Sequence, residues 1–200
     1  MIEILAHRGL WSDTIPKNSL LAFRLAWENG YGIETDVRDI NGKLCIAHDA
    51  FQEPSLLLED VLRDCDKNRT LALNIKSDGL ASHIATLLKK YDITQYFVFD
   101  MSIPDLIHYT KLKLNVFKRL SDIEPIISNI GEIGYWKDEL FRQMDTEDIV
   151  DLSNLKLPVV IVSPELHNNP HFSNDILEAI KEISLTSKIY ICTDKPKHYD

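Results

Sequence analysis

Eight short β-rich runs recur along this 200-residue chain, at 2–6, 32–39, 71–76, 95–100, 114–119, 132–138, 158–163 and 188–193. Stretches with helical periodicity stand between most of them, at 18–29, 56–65, 81–91, 103–111, 146–153 and 174–184. Alternation of this kind with short connections implies parallel strands joined by helical crossovers, and a series of this length implies a closed (β/α)8 TIM barrel. After the second run, Asn41-Gly42 is a two-residue hairpin signal leading into 44–48, so a small β-hairpin is expected there. The chain is short for such a barrel, which requires compact loops and reads as one domain over 1–200. A doubly wound open sheet is the competing architecture, but no Gly-rich phosphate loop follows the first run.

Composition narrows the partners. At 44% hydrophobic and 26% charged residues the chain is an ordinary globular protein. A net charge of −9 argues against nucleic acid, whose binding depends on clustered Lys and Arg. Cys45, Cys65 and Cys192 have no metal-site spacing and read as reduced core residues. No run approaches the roughly 18 apolar residues of a membrane span, and the N-terminus has no basic and apolar leader pattern. The expectation is a cytoplasmic protein without a transmembrane segment.

Either architecture gathers the C-terminal ends of the strands along one edge, and the polar residues fall there. His7 and Arg8 end the first run, Glu34 and Asp36 lie late in the second, and Asn74 and Lys76 end the third. Asp100 and Arg119 end the next two, while Ser121, Glu124, Trp136, Asp138 and Glu165 stand near later ends. Glu34 and Asp36 leave the same face of a strand about 6.5–7 Å apart, where their repulsion calls for a cation or basic group between them. Mg²⁺ or Ca²⁺ suits such oxygen ligands, and a structural ion pair with Arg8 or Lys76 is the alternative. His7 and His48 supply the base and acid that phosphodiester cleavage needs near neutral pH. His83, His108, His167, His171 and His198 read as structural or solvated.

The ordered set AHRG at 6–9, Pro16, Asn18, Ala22, Phe23, Ala26, Gly30, Glu34-x-Asp36, Gly42 and His48-Asp49 resembles the N-terminal signature of the glycerophosphodiester phosphodiesterase family. The resemblance covers nearly a quarter of the chain, and 73–76 and Thr193-Asp194 with Pro196 fit more loosely. It implies a (β/α)8 barrel related in fold to phosphatidylinositol-specific phospholipase C. It also implies His7 and His48 as the acid-base pair, Arg8 and Lys76 at the phosphate, and Glu34 and Asp36 as metal ligands. Asn74 takes the place of the family's third carboxylate, so it is a weak third ligand. Lys17 replaces an acid, and the link between Asp49 and Leu56 is too short for the insertion many relatives carry.

The expected function is metal-assisted hydrolysis of a glycerophosphodiester-like or phospholipid-derived diester by His7 and His48, an activity of lipid metabolism. Asp100, Arg119, Glu124 and Trp136 are candidate pocket residues. The alternative is a non-catalytic or weakly active barrel that binds a phosphorylated ligand at a degenerate metal site.

Overall fold

The structure is a computed structural model and describes residues 2–51, 56–124 and 129–200. Its elements follow the expected alternation: β1 (Ile2–His7), α1 (Leu20–Glu28), β2 (Gly32–Ile40), β3 (Lys43–Ile46), α2 (Leu58–Asp64), β4 (Leu71–Ile75), α3 (Ala81–Lys90) and β5 (Tyr96–Phe99). Next come α4 (Ile103–Lys111), β6 (Phe117–Leu120), β7 (Gly134–Lys137), α5 (Thr146–Asn154), β8 (Val159–Val162), α6 (Asn174–Ile183) and β9 (Ile189–Thr193). The strands run in the order β5-β4-β2-β1-β9-β8-β7-β6, every neighbouring pair parallel, with β3 antiparallel against β2 as the small hairpin. The barrel is nearly closed. At the seam, β5 and β6 are joined by a single bridge, Val98 with Val116, where Val98 N–H donates to the Asn115 carbonyl at 2.8 Å.

That seam explains one departure from the sequence reading. A strand is expected at 114–119, yet β6 begins only at Phe117, because Leu114 closes the end of α4 by donating to the Tyr109 carbonyl. Strand pairing of β6 then depends on β7, which it meets from Phe117 onward. The link after Asp49 lies partly at 52–55, outside the described residues, and the connection from β6 to β7 lies partly at 125–128, likewise outside them.

Helices cover the outside of the barrel. In α1, Ser19 caps the first turn by accepting the Ala22 N–H, while Ala22, Phe23, Ala26 and Trp27 turn inward. Gly30 ends the helix at φ +86°, a left-handed conformation that costs glycine nothing. Inside the barrel, Leu5, Ala72, Phe97, Phe117, Trp136, Val160, Tyr190 and Cys192 pack as an apolar plug. Phe97 stacks on Phe117 at 4.0 Å and Phe99 on Trp136 at 3.8 Å between ring centroids. The interior is thus filled, and what remains open to chemistry is the mouth above the plug.

Candidate active site

Residues at the C-terminal ends of β1, β2, β4, β5, β6 and β9 converge on that mouth. His7 is the last residue of β1 and stands opposite Glu34 in the β1–β2 register, while Asp36 stands opposite Asn74 between β2 and β4. The turn after His7 needs an unusual backbone: Arg8 and Gly9 have φ of +58° and +85°. A Cβ on Gly9 would lie 2.8 Å from the backbone of Ala22, so glycine lets α1 approach β1 closely. Asn18 and Asp100 also hold left-handed φ, +56° and +73°, and non-glycine residues in this region concentrate at functional sites.

Asp36 is the electrostatic centre. Its carboxylate is buried and meets Arg8 Nε at 3.1 Å, Lys76 Nζ at 3.3 Å and the Asn18 amide at 2.9 Å. Asn18 is itself positioned by the Thr35 hydroxyl, which donates to its Oδ1 at 2.9 Å. Burial alone would raise the Asp36 pKa, but Arg8, Lys76, Asn18 and His48 together hold it below the usual carboxylate range. Glu34 is the opposite case. It is equally buried, its Oε2 accepts no hydrogen bond among the described residues, and the basic group paired with it there is His7 Nε2 at 3.8 Å. Burial, then the adjacent Asp36 charge, pushes its pKa up to about 7. Asp36 is therefore the carboxylate held in its charged form, and Glu34 the one that keeps its proton to higher pH.

His7 Nδ1 lies 2.7 Å from Asp194 Oδ1, just beyond the end of β9. Trp11 Nε1 donates to the same oxygen at 3.0 Å and Lys17 Nζ approaches Oδ2 at 3.2 Å. The sequence reading gave no role to Asp194, although the rule that marked Asp100 and Arg119, a charged residue ending a strand, applies to it equally.

The remaining expected residues separate into groups. Lys76 reaches from Asp36 toward Asp100 at 3.9 Å, Asp100 meets Arg119 at 2.8 Å, and Arg119 grips Glu124 through Nε and Nη2 at 2.6 and 2.9 Å. This ion-pair chain carries the mouth across the β5–β6 seam. His48 follows β3 with its imidazole 42% exposed and its Nδ1 2.8 Å from Asp49 Oδ1. Trp136 is buried in the plug with its ring on Phe99, below the polar ring. His167, read from the sequence as structural or solvated, pairs through Nε2 with Asp138 at 2.6 Å.

The donor chemistry fits a hard divalent cation in part. Glu34 Oε2 and Asn74 Oδ1 are buried oxygens without a hydrogen-bond partner, and oxygen ligands are what Mg²⁺ and Ca²⁺ take. Among the described residues no cluster of three His, Cys, Asp or Glu side chains could hold a metal ion, and the residue beside Asp36 in β4 is the neutral amide Asn74.

Fold and site together define a parallel (β/α)8 barrel whose polar mouth gathers acids, bases and histidines from opposite ends of the chain. No protein-family profile and no curated sequence matches the chain. Solved structures do. A glycerophosphodiester phosphodiesterase from Agrobacterium tumefaciens superposes with a TM-score of 0.70 at 16% identity, over 100% of this chain and 99% of that one. An Oleispira antarctica phosphodiesterase in complex with the product sn-glycerol-3-phosphate gives 0.67 at 17% identity, over 98% and 94%. A Ca²⁺-dependent phosphatidylinositol-specific phospholipase C from Streptomyces antibioticus gives 0.61 at 8%, over 98% and 95%. Likeness at these identities establishes the barrel fold.

Proposed function

We propose that this protein hydrolyses phosphodiesters in the barrel mouth, with His7 and His48 as the acid-base pair and Arg8 and Lys76 at the phosphate. The observation that carries the reading is the His7–Asp194 pair set beside the Arg8–Asp36–Lys76 cluster. A carboxylate on Nδ1 holds the imidazole in the tautomer whose Nε2 can accept a proton, and Nε2 faces the mouth beside Glu34.

In the reaction, the substrate's own glycerol hydroxyl, or water where the substrate has none, gives its proton to His7 Nε2 as its oxygen bonds to phosphorus, and water opens any cyclic phosphate so formed with the two histidine roles reversed. The bond from phosphorus to the leaving oxygen breaks, and His48 protonates that oxygen. Asp194 stabilises the imidazolium formed on His7. Arg8 uses Nε on Asp36, so its Nη groups are the donors for a phosphoryl oxygen, and Lys76 adds a second positive charge. A divalent cation held by Glu34, Asp36 and Asn74 would supply further charge for the phosphoryl oxygens. The product found in the Oleispira enzyme supports a small phosphodiester as substrate class.

The test is hydrolysis of bis(p-nitrophenyl) phosphate and a panel of glycerophosphodiesters, with Mg²⁺, Ca²⁺ or chelator, by wild type, His7→Ala and His48→Ala. Turnover lost in both variants supports the pair, and turnover that survives both overturns it. A second reading, a barrel that binds phosphorylated ligands without turnover, draws on Asn74 and on Lys17, whose ammonium pairs with the Asp194 oxygen that His7 leaves free. Phosphate compounds that raise the melting temperature of a protein with no turnover would favour it.

A further inference from the structure

A groove of about 580 Å³ adjoins the mouth between the segments that follow β1 and β9. Its floor is apolar, formed by Leu10, Trp11, Ile15, Leu25 and Pro196. Asp194 lines the groove and also holds His7, so groove and mouth share a wall. Trp11 is the other half of that wall. Its indole N–H is bonded to Asp194, while Lys17 Nζ lies 4.0 Å and Lys195 Nζ 5.7 Å from its ring centroid. At another point of the lining, His171 and His198 stack with centroids 4.0 Å apart.

Charge and shape indicate what the groove holds. The chain carries −9 overall, yet Asp194 is the sole acid among the residues lining the groove and is already paired with His7 and Lys17. Against it stand Lys195 and Lys197, with Lys17 on the Trp11 face. An apolar floor with a basic edge is complementary to an anionic amphiphile and poorly matched to a free polyol. The volume is that of a site for one small ligand, and the groove is open along its length, so a chain lying in it would be half-buried. Groove and mouth meet at Asp194, which is where a ligand anchored by its phosphate at Arg8 and Lys76 would cross from one to the other.

We infer that the groove seats the hydrocarbon chain of a single-chain amphiphilic phosphodiester whose phosphate occupies the mouth. This rests on the phosphodiesterase reading and specifies its substrate class. Leu25 and Ile15 are the specificity-determining positions, because they supply floor without touching the polar ring.

The experiment compares glycerophosphocholine with 1-acyl-glycero-3-phosphocholines from acetyl to dodecanoyl, all below micelle formation. KM should fall about twofold per added methylene for a half-buried chain. Leu25→Gln and Ile15→Gln should remove that dependence and leave glycerophosphocholine turnover unchanged. If one of the two fails to fold, by its melting temperature, the other carries the test. A parallel calorimetric titration with dodecylphosphocholine and with phosphocholine reads binding apart from chemistry. No turnover of any diester, with the dodecyl compound still bound more tightly in wild type but not in the variants, overturns the proposed function and supports the groove. Turnover and binding that ignore chain length overturn the groove assignment. So does binding confined to phosphatidylcholine vesicles, which would make this face a membrane-docking surface instead.

Discussion

His7 and Asp194 stand 187 residues apart in the chain, and their side chains meet at 2.7 Å. The contact exists because β1 and β9 are neighbours in the barrel, with Ala6 in register with Thr193. An imidazole held in this way has one nitrogen committed and one available.

Asp194→Asn should therefore lower kcat by about 10²-fold or more while KM changes little, because the wrong His7 tautomer becomes accessible. His7→Ala in the same assay should cost at least as much. The double variant should be no worse than His7→Ala alone, since both changes remove one function. Additive losses would show that Asp194 acts independently of His7.

His48 has a different environment, and its exposed imidazole makes little contribution to the fold. His48→Ala should keep the wild-type melting temperature and lose about 10²-fold in kcat on substrates with poor leaving groups. On p-nitrophenyl esters, whose leaving oxygen needs no protonation, the loss should be much smaller. Equal losses on both substrate classes would count against His48 as the acid.

Arg8→Ala leaves buried Asp36 with Lys76 as its ion-pair partner among the described residues. Losing a partner of a buried charge should cost about 2–3 kcal/mol in a denaturant titration. Because Arg8 has a planar fork and lysine a point charge, Arg8→Lys should recover stability more than activity. A variant as stable as wild type would mean that Asp36 is neutral in the fold.

The two shifted carboxylates give the pH dependence opposite signs. Glu34 is raised from 4.5 to about 7, so between those values the folded protein holds a proton that the unfolded chain has released, and stability falls as pH rises through the interval. Asp194 is lowered from 3.8 to about 2. Burial opposes that shift and is outweighed by the His7 hydrogen bond and charge, Trp11 and Lys17. Its contribution is complete above 3.8 and is lost as pH falls toward 2. Melting curves in chelator should show wild type losing stability from pH 4.5 to 7 and Glu34→Gln losing less. An unchanged slope in Glu34→Gln would place the titration elsewhere.

A cation needs Glu34 ionised, so Ca²⁺ or Mg²⁺ should raise the melting temperature more at pH 8 than at pH 5. Asn74→Glu should tighten cation binding measured by calorimetry. No change in affinity would mean that position 74 does not reach the ion.

How much was legible beforehand depended on the range of the interaction. The (β/α)8 order was readable because hydrophobic period is a local property, and seven of the eight barrel strands lie close to where the pattern put them. The exception is β6, whose start depends on where it diverges from β5. His7, Arg8, Glu34, Asp36 and Lys76 were recognisable as a set because they share one motif or end successive strands.

Other features depended on closure. Asp194 acquires its meaning only when the last strand returns to pair with the first, and no spacing within the chain encodes that contact. Trp136, a candidate pocket residue by position, is committed to Phe99 because the barrel interior has to be filled. The states of Glu34 and Asp36 could not be separated from sequence, since both are acids on one face of one strand. The folded protein separates them by pairing Asp36 directly with two cations while, among the described residues, the ion-pair partner of Glu34 is a histidine. The sequence by itself determined the alternation of elements and the inventory of the mouth. Only the tertiary structure decided which groups are charged, which are paired and which adjoin an apolar groove, because these depend on distances across the barrel rather than along the chain.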